Sequence, residues 1–213
     1  MSETQDCIVD QKPQTSRAVQ KAETRARILD CAIKAFATFG YDASVRDIAA
    51  EADVRHSTVR YHFKNKEGLW AASIEFLFGH LEEGLKLTDQ EMRKPSVEIF
   101  RLLIERYVRY CAEYPEHARI MAHESMRDSE RFAATLKTYT KPSHERIGEF
   151  LKSLADKKAI PDISTVSLIY ALVGVSQTPF VLGSEIRNLY GMDVFHEHFV
   201  DAHAEAVYRL FIR

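Results

Sequence analysis

The chain has 213 residues, 46% of them hydrophobic and 28% charged, with a formal net charge of −2, an ordinary globular balance for one or two domains with a real core. Its three cysteines, Cys7, Cys31 and Cys111, are too few and too scattered for a disulfide framework or a zinc pattern. No apolar run nears the ~18 residues of a membrane span.

The opening MSETQDCIVDQ lacks the apolar stretch of a secretory signal. A reducing cytoplasm is therefore expected, and residues 1–16 read as a mobile polar tail. Residues 17–70 hold ten Lys/Arg against seven Asp/Glu, whereas 71–213 hold eighteen against twenty-one. The basic excess sits towards the amino-terminal end, the sign that contact with phosphate requires.

A helix is predicted over 17–39, with Ile28, Leu29, Ala32, Ile33, Phe36 and Phe39 on one face. Gly40 ends it, because glycine enters the left-handed cap conformation without penalty. Ser44 then opens a short helix, its hydroxyl placed to cap free amides, with Val45, Ile48, Ala49 and Ala52 as the apolar stripe. Ala52-Asp53 makes a turn. A second short helix follows, its buried side formed by Val54, Val59 and Phe63.

The face left over on this pair is rich in donors: Arg46, Arg55, His56, Ser57, Thr58, Arg60, Tyr61, His62, Lys64 and Lys66. A short helix with one apolar side and one donor-studded side suits the DNA major groove. Arg46, Arg55 and Arg60 can each make the bidentate contact to guanine. Thr58 offers a methyl to thymine, and Tyr61, His62 and Lys66 suit phosphate.

Asn65 is placed to cap a long helix over 66–87, buried through Leu69, Trp70, Ile74, Leu77, Phe78, Leu81 and Leu85. A polar break follows at 88–94. Pro95 starts the next helix, whose stripe is Val97, Phe100, Leu103, Ile104, Tyr107, Val108 and Cys111, and Pro115 ends it. Further helices are predicted over 116–126, over 129–155 with a bend or split at Pro142, over 163–189 with a kink among Gly174, Pro179 and Gly183, and over 194–212. The pattern gives an all-α fold of about nine helices. It divides into a tail at 1–16, a helix-turn-helix head at 17–69 and a helical domain at 70–213.

The run from Arg25 to about Leu77, with SVRDIAAEADV and then STVRYHFKNKEGLW at fixed spacing, resembles the DNA-binding head of TetR-type transcriptional regulators. The resemblance implies a homodimeric repressor that holds a palindromic operator and leaves it when a small molecule enters the carboxy-terminal domain. An activator working from the same head is the alternative. Carried over by position, Ser44 would cap its helix and meet a phosphate, Arg46 a base edge or a phosphate, residues 55–58 base edges, and Lys66 a phosphate. The chain departs from the family pattern at Asp53, where Gly is frequent, at Arg55, where a capping Ser is frequent, and at Arg60, where Tyr is common and the aromatic is displaced to Tyr61.

Two heads must sit about one DNA turn apart, ~34 Å, which requires a dimer. The last two helices offer the apolar faces for it: Val166, Ile169, Val173, Phe199, Ala202, His203, Ala206 and Leu210. A pocket is expected among the middle helices, lined by Phe100, Leu103, Tyr107, Met121, Phe132, Tyr139 and Tyr170, with Glu124 and Gln177 among the orienting polar groups. That composition points to an apolar, ring-bearing effector rather than a highly anionic one. His196-x-His198 is not a metal pair, because on a helix the two point about 200° apart. No nucleophile elbow, HExxH or phosphate loop is present, so neither an enzyme nor a cofactor is expected. An adaptor that has lost its DNA role remains a competing reading.

Overall fold

The computed structural model describes residues 16–127 and 129–212. The expected tail lies almost wholly outside these residues. All regular structure among them is helical.

Helix α1 (Ser16–Phe39) ends at Gly40, which takes φ +62° and starts a single turn of 3-10 helix. Its inner face is Ile28, Leu29, Ala32, Ile33 and Phe36. Phe39, expected on that face, is instead 65% exposed, because the helix is already unwinding into Gly40. Helix α2 (Val45–Glu51) is capped by Ser44, whose Oγ accepts the Asp47 N–H at 3.3 Å. The turn to α3 (His56–Phe63) passes through Asp53 at φ +51°. Aspartate is among the few residues that accept this conformation readily. Arg27 Nε donates to the Ala52 carbonyl at 2.9 Å, pinning that turn to α1.

Helix α4 (Lys66–Leu85) starts on Asn65, whose Oδ1 accepts the Gly68 N–H at 2.8 Å. Lys64, at φ +66°, turns the chain sharply between α3 and α4. A one-turn helix, α5 (Asp89–Met92), occupies the expected break, held by a reciprocal capping box between Thr88 and Glu91. Then come α6 (Ser96–Glu113) and α7 (Pro115–Ser125).

Helices α8 (Glu130–Thr135) and α9 (Lys141–Asp156) run on through a π-helical turn at Leu136–Thr140. Pro142 is the physical reason. In an α-helix its ring would press on the carbonyl of Thr138, and the widened turn relieves that clash. The expected 163–189 helix is two, α10 (Thr165–Val181) and α11 (Gly183–Tyr190), meeting at 63° across Leu182. Gly183 fits there because a Cβ would meet Val194 and Phe195 at 3.1–3.2 Å. Helix α12 (Glu197–Phe211) closes the fold. The described residues thus hold twelve α-helical segments where about nine were expected. No single helix among them is long and apolar enough to cross a membrane.

Two cores result. One gathers α6, α9, α10 and α12 around Phe100, Val108, Leu151, Leu168, Phe180 and Val207. The other joins α1 to α4 around Phe36, Ile48, Val59, Phe63, Leu69 and Leu77, and takes in Ile120 from α7. The boundary expected after Leu69 therefore falls inside α4, which carries buried residues of the head as far as Leu77.

Candidate nucleic-acid interface and effector cavity

Helix α3 turns Val59 and Phe63 into the head, 2% and 4% exposed. That leaves Arg55, His56, Ser57, Arg60 and Tyr61 on the open side, with Arg46 exposed on α2 and Ser44 exposed at its start. Thr58, His62 and Lys66 are half-buried. Arg55 sits at the start of α3 without a side-chain capping bond, so the first amides of that helix are not covered by a cap.

Sequence reasoning missed the contribution of α1. Lys21 Nζ lies 5.0 Å above the Tyr61 ring and the Arg25 guanidinium 5.0 Å from the Phe63 ring. Both cations flank α3, and their field together with burial lowers the pKa of His62, burial being the larger cause. His62 is thus a neutral hydrogen-bonding group near pH 7, while Lys21, Arg25, Arg60 and Lys64 supply the positive charge. Lys66 Nζ stands 4.8 Å from the Tyr41 ring at the first turn of α4.

The head is gripped from behind. Arg131, on α8, stacks 3.5 Å from the Tyr41 ring and 5.0 Å from Trp70. Its fork is held by Glu124 of α7, Nε to Oε2 at 3.1 Å and Nη2 to Oε1 at 3.0 Å, with Ser129 Oγ donating a further bond at 3.1 Å. Glu124 is only 1% exposed. Arg127 adds a 2.6 Å bond to Asp42, which lowers the pKa of that carboxyl.

A cavity of about 450 Å³ opens between α4, α6, α7, α10 and the α8–α9 segment. Of the residues expected to line it, Phe100, Leu103, Tyr107, Met121, Phe132, Tyr170 and Gln177 do so. Glu124 and Tyr139 do not. Glu124 turns away to fix Arg131, and Tyr139 stacks on Phe78 with centroids 4.7 Å apart. A buried carboxylate goes where a cation can meet it, and here that cation faces the head. Phe78, Tyr110, Cys111, His117 and His144 line the cavity and were not expected to.

One wall carries a hydrogen-bonded chain. The Tyr110 hydroxyl donates to the Leu77 carbonyl of α4 at 2.9 Å and lies 2.6 Å from His117 Nδ1. A carbonyl only accepts, so the single phenolic proton is committed to it, and His117 must donate from Nδ1. Nε2 is then left as an acceptor. Burial pushes the His117 pKa down to about 4 and the Cys111 thiol up to about 12, and raises the Tyr107 and Tyr110 phenols well above their usual range. All four are uncharged at neutral pH.

The expected dimer residues split. Val166, Ala202, Ala206 and Leu210 are exposed. Ile169 is 7% exposed and Val173 lines the cavity, so both face inward. Phe199 and His203 are half-buried. His203 Nε2 lies 3.1 Å from the Val175 carbonyl, and its ring stacks on Phe199 beside Phe180. Helix α10 is apolar on every side, so its sequence did not mark which face turns in. His196, considered for a metal, accepts the His198 N–H and caps α12.

Residues 28–72 match the profile of bacterial regulatory proteins of the tetR family, and residues 81–213 that of the YcdC-like protein carboxy-terminal region, which alone spans more than half the chain. The chain belongs to the TetR family and is a DNA-binding transcription regulator. The HTH-type transcriptional regulator BetI of Serratia proteamaculans is 33% identical over 73 residues, covering 34% of this chain but only 37% of that protein. The uncharacterized HTH-type regulator YvkB of Bacillus subtilis is 26% identical over 141 residues, 64% of this chain and 70% of that one. Among solved structures, a linker mutant of HlyIIR superposes with a TM-score of 0.67 at 19% identity, covering 91% and 97% of the two chains. FadR from Bacillus halodurans superposes with 0.63 at 19%, covering 87% and 96%.

Proposed function

We propose that the protein is a cytoplasmic homodimeric repressor that holds a palindromic operator and leaves it when a small, apolar effector fills the cavity. Base edges would be met by Arg46, Arg55, His56, Ser57, Thr58 and Arg60, and phosphates by Ser44, Tyr61, His62 and Lys66. Lys21 and Arg25 would add charge beside them. Phe100, Leu103, Tyr107, Met121, Phe132, Tyr170 and Gln177 would enclose the effector. The exposed residues Val166, Ala202, Ala206 and Leu210 on α10 and α12 would pair two copies.

The observation that carries the reading is that one helix serves both ends. Helix α4 starts at the head, where Asn65 caps it, and walls the cavity through Phe78, Leu81 and Leu85. An occupant that shifts α4 changes the spacing of two heads, and with it their match to successive major grooves.

The test is selection of duplex DNA from a random pool by the full-length protein, followed by titration of the selected duplex at several salt concentrations. An inverted repeat with a steep salt dependence is expected. A thermal-shift screen of small molecules then supplies effectors, which are expected to release the duplex. Failure to enrich any inverted repeat over scrambled competitor would sink the proposal. An effector that tightens the grip would make the protein a co-repressed or activating regulator instead.

A further inference from the structure

The cavity's lining also specifies the electrical character of its occupant, an inference that rests on the reading of this space as an effector site. Among the described residues, no Asp, Glu, Lys or Arg lines it. Two charged pairs close to the lining are turned to each other instead: Glu124 with Arg131, and Arg106 with Glu91 at 2.5 Å. Lys141 and Glu145 border a separate shallow recess outside Tyr170 and are exposed. An ion brought inside would lose its water and find no counter-charge among the lining residues.

The polar groups that do line the cavity are neutral and partly unanswered. His117, 9% exposed, presents Nε2 as an acceptor once its Nδ1 proton is given to Tyr110. The Thr140 hydroxyl also lacks a partner, but its oxygen is sealed behind the lining, out of a guest's reach. A polar atom facing an apolar space without a partner is costly, so the partner of His117 Nε2 is expected from whatever enters.

We propose that the cavity selects an uncharged, largely apolar ligand carrying an O–H or N–H donor, and that His117 Nε2 accepts from that donor. Carboxylates, phosphates and ammonium compounds are rejected. Contact at His117 also places the ligand at the end of the chain His117–Tyr110–Leu77, which reaches the backbone of α4.

The experiment is calorimetric titration of the full-length protein at neutral pH with three probes of similar shape: 4-butylphenol, 4-butylanisole and 4-butylbenzoate. The phenol is expected to bind at least about tenfold tighter than the benzoate. It should also bind more tightly than the anisole, and His117→Phe should erase that second preference. If the benzoate binds as tightly as the phenol, if the anisole matches the phenol in the unaltered protein, or if none binds at millimolar concentration, the proposal is overturned. Binding of the same preparation to its selected duplex is measured separately. Loss of ligand selectivity and loss of DNA regulation are thereby told apart.

Discussion

Arg60 stands one helical turn beyond His56 on the open side of α3, four residues on, where a guanidinium can reach a guanine edge. Arg60→Ala is expected to weaken binding to the selected operator roughly tenfold more than binding to random duplex, the lower end of what one bidentate contact discriminates. Fluorescence anisotropy on both duplexes checks it, and equal losses would reduce Arg60 to a phosphate contact. Behind the helix, Gly68 leaves no room for a side chain, since a Cβ would stand 2.1 Å from the Phe63 carbonyl oxygen. Gly68→Ala is expected to lower stability by ~3 kcal/mol, at the upper end of ordinary overpacking. Denaturant unfolding measures this. Glu124→Ala leaves Arg131 half-buried without its carboxylate, and is expected to cost about 3 kcal/mol by the same method. These three positions differ in how well the sequence announced them. Arg60 was legible because a cation between Val59 and Tyr61 on a short amphipathic helix must point outward. Gly68 was not, since its necessity comes from Phe63, a neighbour brought close only by the left-handed residue Lys64. Glu124 looked like a pocket group because sequence cannot say on which side of α7 its partner will lie.

At the scale of the element, the caps and stops were the readable part. Ser44, Asn65 and Gly40 each sit where their chemistry places a helix end, and the structure uses all three. What sequence pattern could not give was the response of long helices to local insult. Pro142 was expected to bend or split 129–155, and the chain absorbs it with a π-helical turn five residues long. The long apolar run over 163–189 was expected to kink among Gly174, Pro179 and Gly183, and it does so beside the last of them, though nothing in the pattern chose between the three. Pro179 stays within α10, and the break comes at Leu182, where Gly183 packs against Val194 and Phe195. A break of that kind is decided by packing partners far along the chain. For the same reason Ile169 and Val173 were assigned to an outer surface although they face the cavity.

Taken whole, the molecule is a head and a cavity domain that share α4 and are clamped by α7 and α8. The exposed stripe on α10 and α12 predicts a dimer at micromolar concentration. Val166→Asp combined with Ala206→Asp is expected to give monomers by light scattering and to lose operator affinity without unfolding. The buried His117 makes stability depend on pH. Its folded pKa, about 4, lies below the ordinary 6.5. Above pH 6.5 both folded and unfolded chains carry it neutral, and its full contribution is present. As the pH falls towards 4 the unfolded chain takes up a proton that the folded one refuses, so stability declines by up to ~3 kcal/mol. Thermal unfolding across that window should show the decline, and His117→Gln should flatten it.

Arg131 and Phe132 are consecutive, yet one grips the aromatic rings of the head and the other lines the cavity. On the proposed function, a guest pressing on Phe132 would also disturb the contact of Arg131 with Tyr41 and Trp70. News of occupancy would then arrive at the DNA-facing end by a second route, parallel to α4 and only one peptide bond long.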